Sequence, residues 1–400
     1  MTETNKLDAT PATVTAELID SWADDLRGPV ALHLKQRLVP VEEGEHVIVY
    51  PPTYADIGYN MDTLADGTMV TIIDSVGSQA NRMEPLFKTD SLAGLVPQVE
   101  IELHSKKEDG KVHIEKRSLL DIAHRSADAV VYACPTLAID VAQAFRALKQ
   151  SGDAGPLCAL APTSLVFGVW DSRGGTREKR PRLIRSVVRA WDVQPLHAAA
   201  QFNSIWKSLD AEQQADLEKE AKSKGVKLSK KGFADAPATF RKLRANAAKN
   251  IPEFRNGAAN IEHRVLGGVI VNGGIERDIT VNLVALRAIR GGSEEETINI
   301  RRYILSLALL AATAEIDFYL REGCLLRISD DGVWREVPRR GQPRAVDLLS
   351  NVAQQNLLNY ADKETNKFRP RWPKTLVHKF DLKEAKKLLA KKEEDEESEM

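Results

Sequence analysis

RVLGGVIVNGGIERDITVNLVAL, residues 264–286, is rich in β-branched residues on both sides of Asn272-Gly273-Gly274. Such runs favour strands, and Asn-Gly-Gly between two of them predicts a hairpin. A hairpin pairs its strands antiparallel, so this stretch excludes a purely parallel doubly wound sheet.

Working outward, QVEIELH (98–104) and KVHIEK (111–116) alternate at period two around KKEDG and predict a second hairpin. HVIVYPPTY (46–54), TMVTIID (68–74), LVFGVWD (165–171) and LIRSVVRAWDV (183–193) also read as strands. Helical spacing runs through Ala16–Gln36, Ser118–Val131 and Leu137–Leu148, then from about Glu294 to Leu320, near 345–359, and through a Lys-rich segment ending in EEDEESE. Ser75 or Ser78 is placed to cap a helix directly after the strand at 68–74. These elements predict an α+β fold with an antiparallel sheet, and their order suits a ferredoxin-like or RNA-recognition-type core carrying insertions.

The 400 residues are enough for two or three domains or one core with large insertions. Hydrophobic residues make up 43% and charged residues 28%, the balance of an ordinary globular chain. With 56 Lys+Arg against 57 Asp+Glu, only a globally basic polyanion binder is excluded. Cys134, Cys158 and Cys324 lie far apart with no metal spacing, which predicts a reducing cytoplasm and neither disulfides nor structural zinc. No secretory signal is expected from the opening residues, and YILSLALLAATA (303–314) is too short to cross a bilayer, so it reads as a core helix.

The net charge hides two basic regions. SRGGTREKRPRLIRSVVR (172–189) carries seven cations, Arg173, Arg177, Lys179, Arg180, Arg182, Arg185 and Arg189, against Glu178 alone. Guanidinium forks match phosphate oxygens, and Gly174 and Gly175 let backbone approach a ligand closely. On a strand, Arg185, Val187 and Arg189 share a face, placing an apolar contact beside cations. The competing reading is a solvated Arg-rich loop. Lys219–Lys249 holds ten Lys/Arg against two acids and suits salt-dependent phosphate contact, or simple solubility. The helix start after the strand offers Ser75, Gln79, Asn81 and Arg82 to a phosphate or base edge, or merely an N-cap. His124, Arg125 and Asp128 lie within about one helical turn and form either an acid/base set or an RNA contact. Phosphate-loop, nucleophile-elbow and metal-helix patterns are missing, so neither catalysis nor a cofactor is expected.

Taken together, IDSVGSQANRMEP, AHRSADAVV, VFGVWDSRGGTREKRPRLIRSVVRAWDV, VLGGVIVNGGIERDITVNLVALRA and RYILSLALLAATAEIDFYLREGCLL resemble the backbone subunit of the type I-G (formerly I-U) CRISPR surveillance complex. This is a repeat-associated protein of the Cascade type, and the resemblance spans roughly residues 40–327. It implies an RNA-recognition-type palm with fingers and thumb elements. Its partners would be CRISPR RNA, target DNA through the guide, further copies in a head-to-tail filament, and other Cascade subunits, with no membrane. RNA contacts would fall on Ser75, Gln79, Asn81, Arg82 and the Arg173–Arg189 segment. The expected layout is a helical leader (1–45), a palm (46–202), a basic helical insertion (203–256), the palm's return (257–330), and C-terminal helices with an acidic tail (331–400), the insertion and the tail lying outside the resembling segments. Such subunits bind without cutting. The alternative is a metal-independent endoribonuclease with His124 as general acid/base and Arg125 or Lys179 stabilising the phosphorane.

Overall fold

The structure, a computed structural model, describes residues 11–397 apart from 43, 55–56, 90, 107–111, 174, 200–208, 227 and 229–263. Most of the basic insertion and the tip of the 98–116 hairpin therefore lie outside the described residues. The elements that position the site are, in chain order, α1 (Ala16–Asp24), β1 (Ala31–Pro40), β2 (Met69–Asp74), α2 (Val76–Met83), α3 (Pro135–Ser151), β3 (Ile184–Ala199), β4 (Arg264–Asn282), α4 (Glu294–Thr313) and α5 (Asn351–Asn366).

The fold is α+β and RNA-recognition-like: a mixed sheet whose central strands lie in the order β2, β3, β4, β1, with every neighbouring pair of these four antiparallel. Arg335–Val337 extends the sheet beyond β1, and Met61–Thr63 extends it beyond β2. One face is apolar. Leu32, Leu34, Ile184, Ile279 and Val281 point from it into a core filled by Ile300, Tyr303, Ile304 and Leu307 of α4. A second apolar cluster, with Leu38, Val188, Ile275 and Phe318, continues along the sheet. Burying a side chain of this kind is worth roughly 1.5–3 kcal/mol, so α4 clamps the sheet by area alone.

Local chemistry sets the helix ends. Ser75, Ser293 and Ser350 accept from the backbone N–H groups of Ser78, Glu296 and Ala353 and cap α2, α4 and α5. Gly152, at φ +72°, closes α3 in the left-handed conformation that glycine adopts without strain.

Several expectations change. Residues 264–282 form one continuous strand in place of a hairpin. Asn272 and Gly273 lie between the register pairs Gly274–Trp191 and Val271–Val193, so two residues of β4 face Asp192 alone in a bulge. A Cβ on Gly273 would sit 2.8 Å from the Trp191 carbonyl oxygen, and Gly274 has φ +99°. The glycines serve close approach, not chain reversal. Beyond the bulge the β3–β4 ribbon runs on until Ala199 stands opposite Arg264.

The helix read over Ala16–Gln36 stops at Asp24, and the supposed leader supplies β1 to the middle of the sheet. Within 165–171 only Val169–Trp170 is strand, because Thr163–Phe167 is a buried helical turn. Ser118–Val131 breaks into 3-10 turns and the short helix Ala129–Tyr132, with Arg125 at φ +54° interrupting any longer helix. In 46–54 only Ile48–Val49 and Thr53–Tyr54 pair, on either side of the prolines. The helix begun at Glu294 ends at Thr313, with strand Phe318–Arg321 following, and the one expected near 345–359 is α5. Among the described residues no helix is long and apolar enough to cross a membrane. The three cysteines are free and buried.

Candidate nucleic-acid interface

The cationic segment begins as a small hairpin. Val169–Trp170 pairs with Lys179–Arg180, and Gly168 (φ +80°) permits the crossing, since a Cβ there would meet Arg182 Cγ at 2.9 Å. Its loop is tied down from within. Asp171 is fully buried, accepts from Tyr132 Oη at 2.6 Å and from both the backbone N–H and the hydroxyl of Thr176, while its own N–H donates to Glu178 at 2.8 Å. Burial, and then the hydrogen bond to Asp171, push the Tyr132 phenol well above its ordinary range, so it stays a donor. Beneath, Arg125 pairs with Glu84 at 2.6 Å and donates to the Gly168 carbonyl at 3.2 Å. Burial pushes the Glu84 carboxyl up to about 7, with Arg125 opposing that rise.

On this rigid base the cations divide. Arg173 and Lys179 are exposed, and the Lys179 ammonium lies 5.9 Å from the ring centre of Trp170. Arg180 is half-buried and paired with Glu178 at 3.1 Å. Arg182 is exposed at the surface but donates through Nε to the Phe167 carbonyl at 3.1 Å, so it also braces the hairpin. Gly175 has φ +80° in the loop, and Gly174 lies outside the described residues.

The cationic row then continues along β3 and across the sheet. Arg185, Val187 and Arg189 stand opposite Thr280, Asp278 and Glu276 of β4, which stand opposite His33, Lys35 and Arg37 of β1. Arg335 extends the first row beside His33. At these registers five cations, Arg185, Arg189, Lys35, Arg37 and Arg335, meet two acids. Lys35 bonds Glu276 at 3.0 Å and Arg189 approaches Asp278 at 3.9 Å. Arg185 is exposed and makes no hydrogen bond or ion pair among the described residues. The arrangement presents a net-positive, water-accessible sheet face, which suits a polyanion track better than a small pocket.

The opposite face engages Ser75, Gln79 and Arg82, three of the residues expected to touch RNA. Gln79, fully buried, donates Nε2 to Asp74 at 2.7 Å and accepts through Oε1 from Ser186 at 2.7 Å and Arg277 at 3.1 Å. Arg277 also reaches Gln36 Oε1 at 3.1 Å and lies 5.3 Å from the Phe318 ring centre. Burial lowers its guanidinium to about 10, with Asp74 opposing. Arg82 donates to Asp74 at 3.0 Å and to the Leu320 carbonyl at 3.0 Å, and Ser75 caps α2. Gln79 and Arg125 are therefore corrected to internal anchors, because both side chains are buried, Gln79 against Asp74, Ser186 and Arg277 and Arg125 against Glu84 and the Gly168 carbonyl. Arg82 is a brace between α2 and Phe318–Arg321. Asn81 is exposed on α2. His124, also exposed, has no carboxylate partner among the described residues.

Lys35, Arg37, Arg335 and Trp170 went unnoticed in the sequence. The available signal was LHLKQRLVP, where Leu32, Leu34, Gln36 and Leu38 alternate with His33, Lys35 and Arg37 at strand period. Among the described residues no group of three or more His, Cys, Asp or Glu gathers to hold a metal ion.

The fold is thus an α+β, RNA-recognition-like sheet with helices on its apolar side and cations on its wet side. Residues 32–195, from β1 into β3, match the family model of CRISPR-associated protein GSU0053, so this stretch is similar to a CRISPR-associated family. No curated protein matches the chain.

Proposed function

We propose that this protein acts in CRISPR defence as a non-catalytic RNA-binding backbone subunit of a type I-G Cascade complex, lining up in copies along the guide and displaying it for pairing with target DNA. The observation that carries this reading is the cationic sheet face beside the locked hairpin, both within or beside the stretch similar to a CRISPR-associated family. A backbone subunit has no need to read sequence, because guide–target pairing supplies specificity and the protein grips the sugar-phosphate chain. Many such contacts along one RNA add up to avidity without any single tight site. Head-to-tail copies call for an open, heterologous interface.

The test is co-purification of the full chain with CRISPR RNA, followed by affinity measured against salt. Binding that weakens steeply with salt, together with particles holding several copies per RNA, is expected. Salt-independent binding, or copies that never assemble on RNA, would overturn the reading. Incubation with repeat RNA separates the endoribonuclease alternative: the RNA is expected to stay intact. Arg125, proposed there to stabilise charge, is occupied by Glu84.

A further inference from the structure

We propose that Trp170 is a stacking post for one unpaired nucleobase, held at the edge of the cationic face. The inference rests on the RNA-binding reading and adds a contact that charge alone does not provide. Of the tryptophans described, Trp22 and Trp334 are buried and Trp191 and Trp372 half-buried, whereas Trp170 keeps 59% of its surface in solvent. Leaving an indole in water forfeits burial, and among the described residues the contact with Lys179 offsets only a small part of that.

Its setting is that of a ligand contact. The Lys179 ammonium, 5.9 Å from the ring centre, leans over one side of the indole and stands ready for the phosphate next to a stacked base. The strand pair carrying Trp170 is fixed by Asp171 on one side and by Arg125 on Gly168 on the other, so little backbone freedom is lost when a base docks. Every base has a π face, so such a post suits single strands of any sequence, and a duplex, whose bases are already stacked, does not use it.

The full chain should be titrated with oligouridine and with an RNA duplex, using Trp170→Ala, Trp170→Phe and Lys179→Ala. Trp170→Ala is expected to weaken oligouridine binding about tenfold while leaving duplex binding and the slope of log affinity against log salt unchanged. Trp170→Phe should retain most of the affinity. Lys179→Ala should reduce the slope by about 0.7, the share of one phosphate contact on a single strand. Equal binding by wild type and Trp170→Ala, or an equal loss on duplex, overturns the stacking post and leaves the RNA-binding reading standing. A Trp170→Ala protein that binds RNA normally but fails to self-associate assigns the indole to a protein contact and likewise overturns it. Failure of wild type to bind either RNA removes both readings.

Discussion

Arg277 and Arg185 stand on neighbouring strands of one sheet with opposite surroundings. Arg277 points into the core, where Gln79, Ser186 and Gln36 accept its N–H groups and Phe318 covers its plane. Arg185, across from Thr280 on the other face, meets water. The same pattern recurs at the cationic hairpin, where Arg125 is sealed against Glu84 beneath it while Arg173 in its loop is exposed. A count of arginines therefore does not measure a binding surface. A buried guanidinium is held by internal partners and losing one is costly, whereas an exposed one is available to a polyanion at almost no cost to the fold.

The largest break in this contrast should come from Glu84→Ala, which strands the Arg125 guanidinium inside. A loss of about 3–5 kcal/mol in denaturant-measured stability is expected. An unchanged midpoint would mean that Arg125 finds water instead. Next, Arg277→Met leaves Gln79, Ser186 and Gln36 short of a donor and should cost about 1–3 kcal/mol, with the salt slope of RNA binding unaltered in protein that remains folded.

The outer face should respond in the reverse sense. Arg185→Glu combined with Lys35→Glu is expected to lower RNA affinity tenfold or more and flatten the salt slope by about 1 to 2, with the melting temperature little changed. A filter-binding series over salt reads this directly, and full affinity in the double variant would remove these residues from the interface. The last test concerns pH. The folded-state value for Glu84 rises from 4.5 to about 7, so its protonation contributes stability fully present below 4.5 and lost as pH climbs through 7. Glu84→Gln should remove that decline, visible as the difference between the two proteins' melting temperatures across this window.

The antiparallel sheet was legible because β-branched runs reveal strands wherever they fall. Its connectivity was less so, because Asn272-Gly273-Gly274 fits a bulge as well as a turn, and only the Trp191 carbonyl pressed against Gly273 decides between them. β1 was hidden because the helical spacing of α1 runs up to Leu26 and the change to period two begins only a few residues later. The cationic hairpin was readable as charge. Its sorting into anchors and free groups was not, because the partner of Arg125 lies 41 residues away and that of Ser186 lies 107 away. Burial of a polar group is set by such distant partners, which local patterns do not encode.

The facing positions of Ala199 and Arg264 have one more effect. Chain leaves and re-enters the ribbon at neighbouring points, so the two strand ends already stand a hairpin's width apart. A short reverse turn joining Ala199 directly to Arg264 would therefore keep the register of both strands, and the ribbon would end as an ordinary two-stranded hairpin.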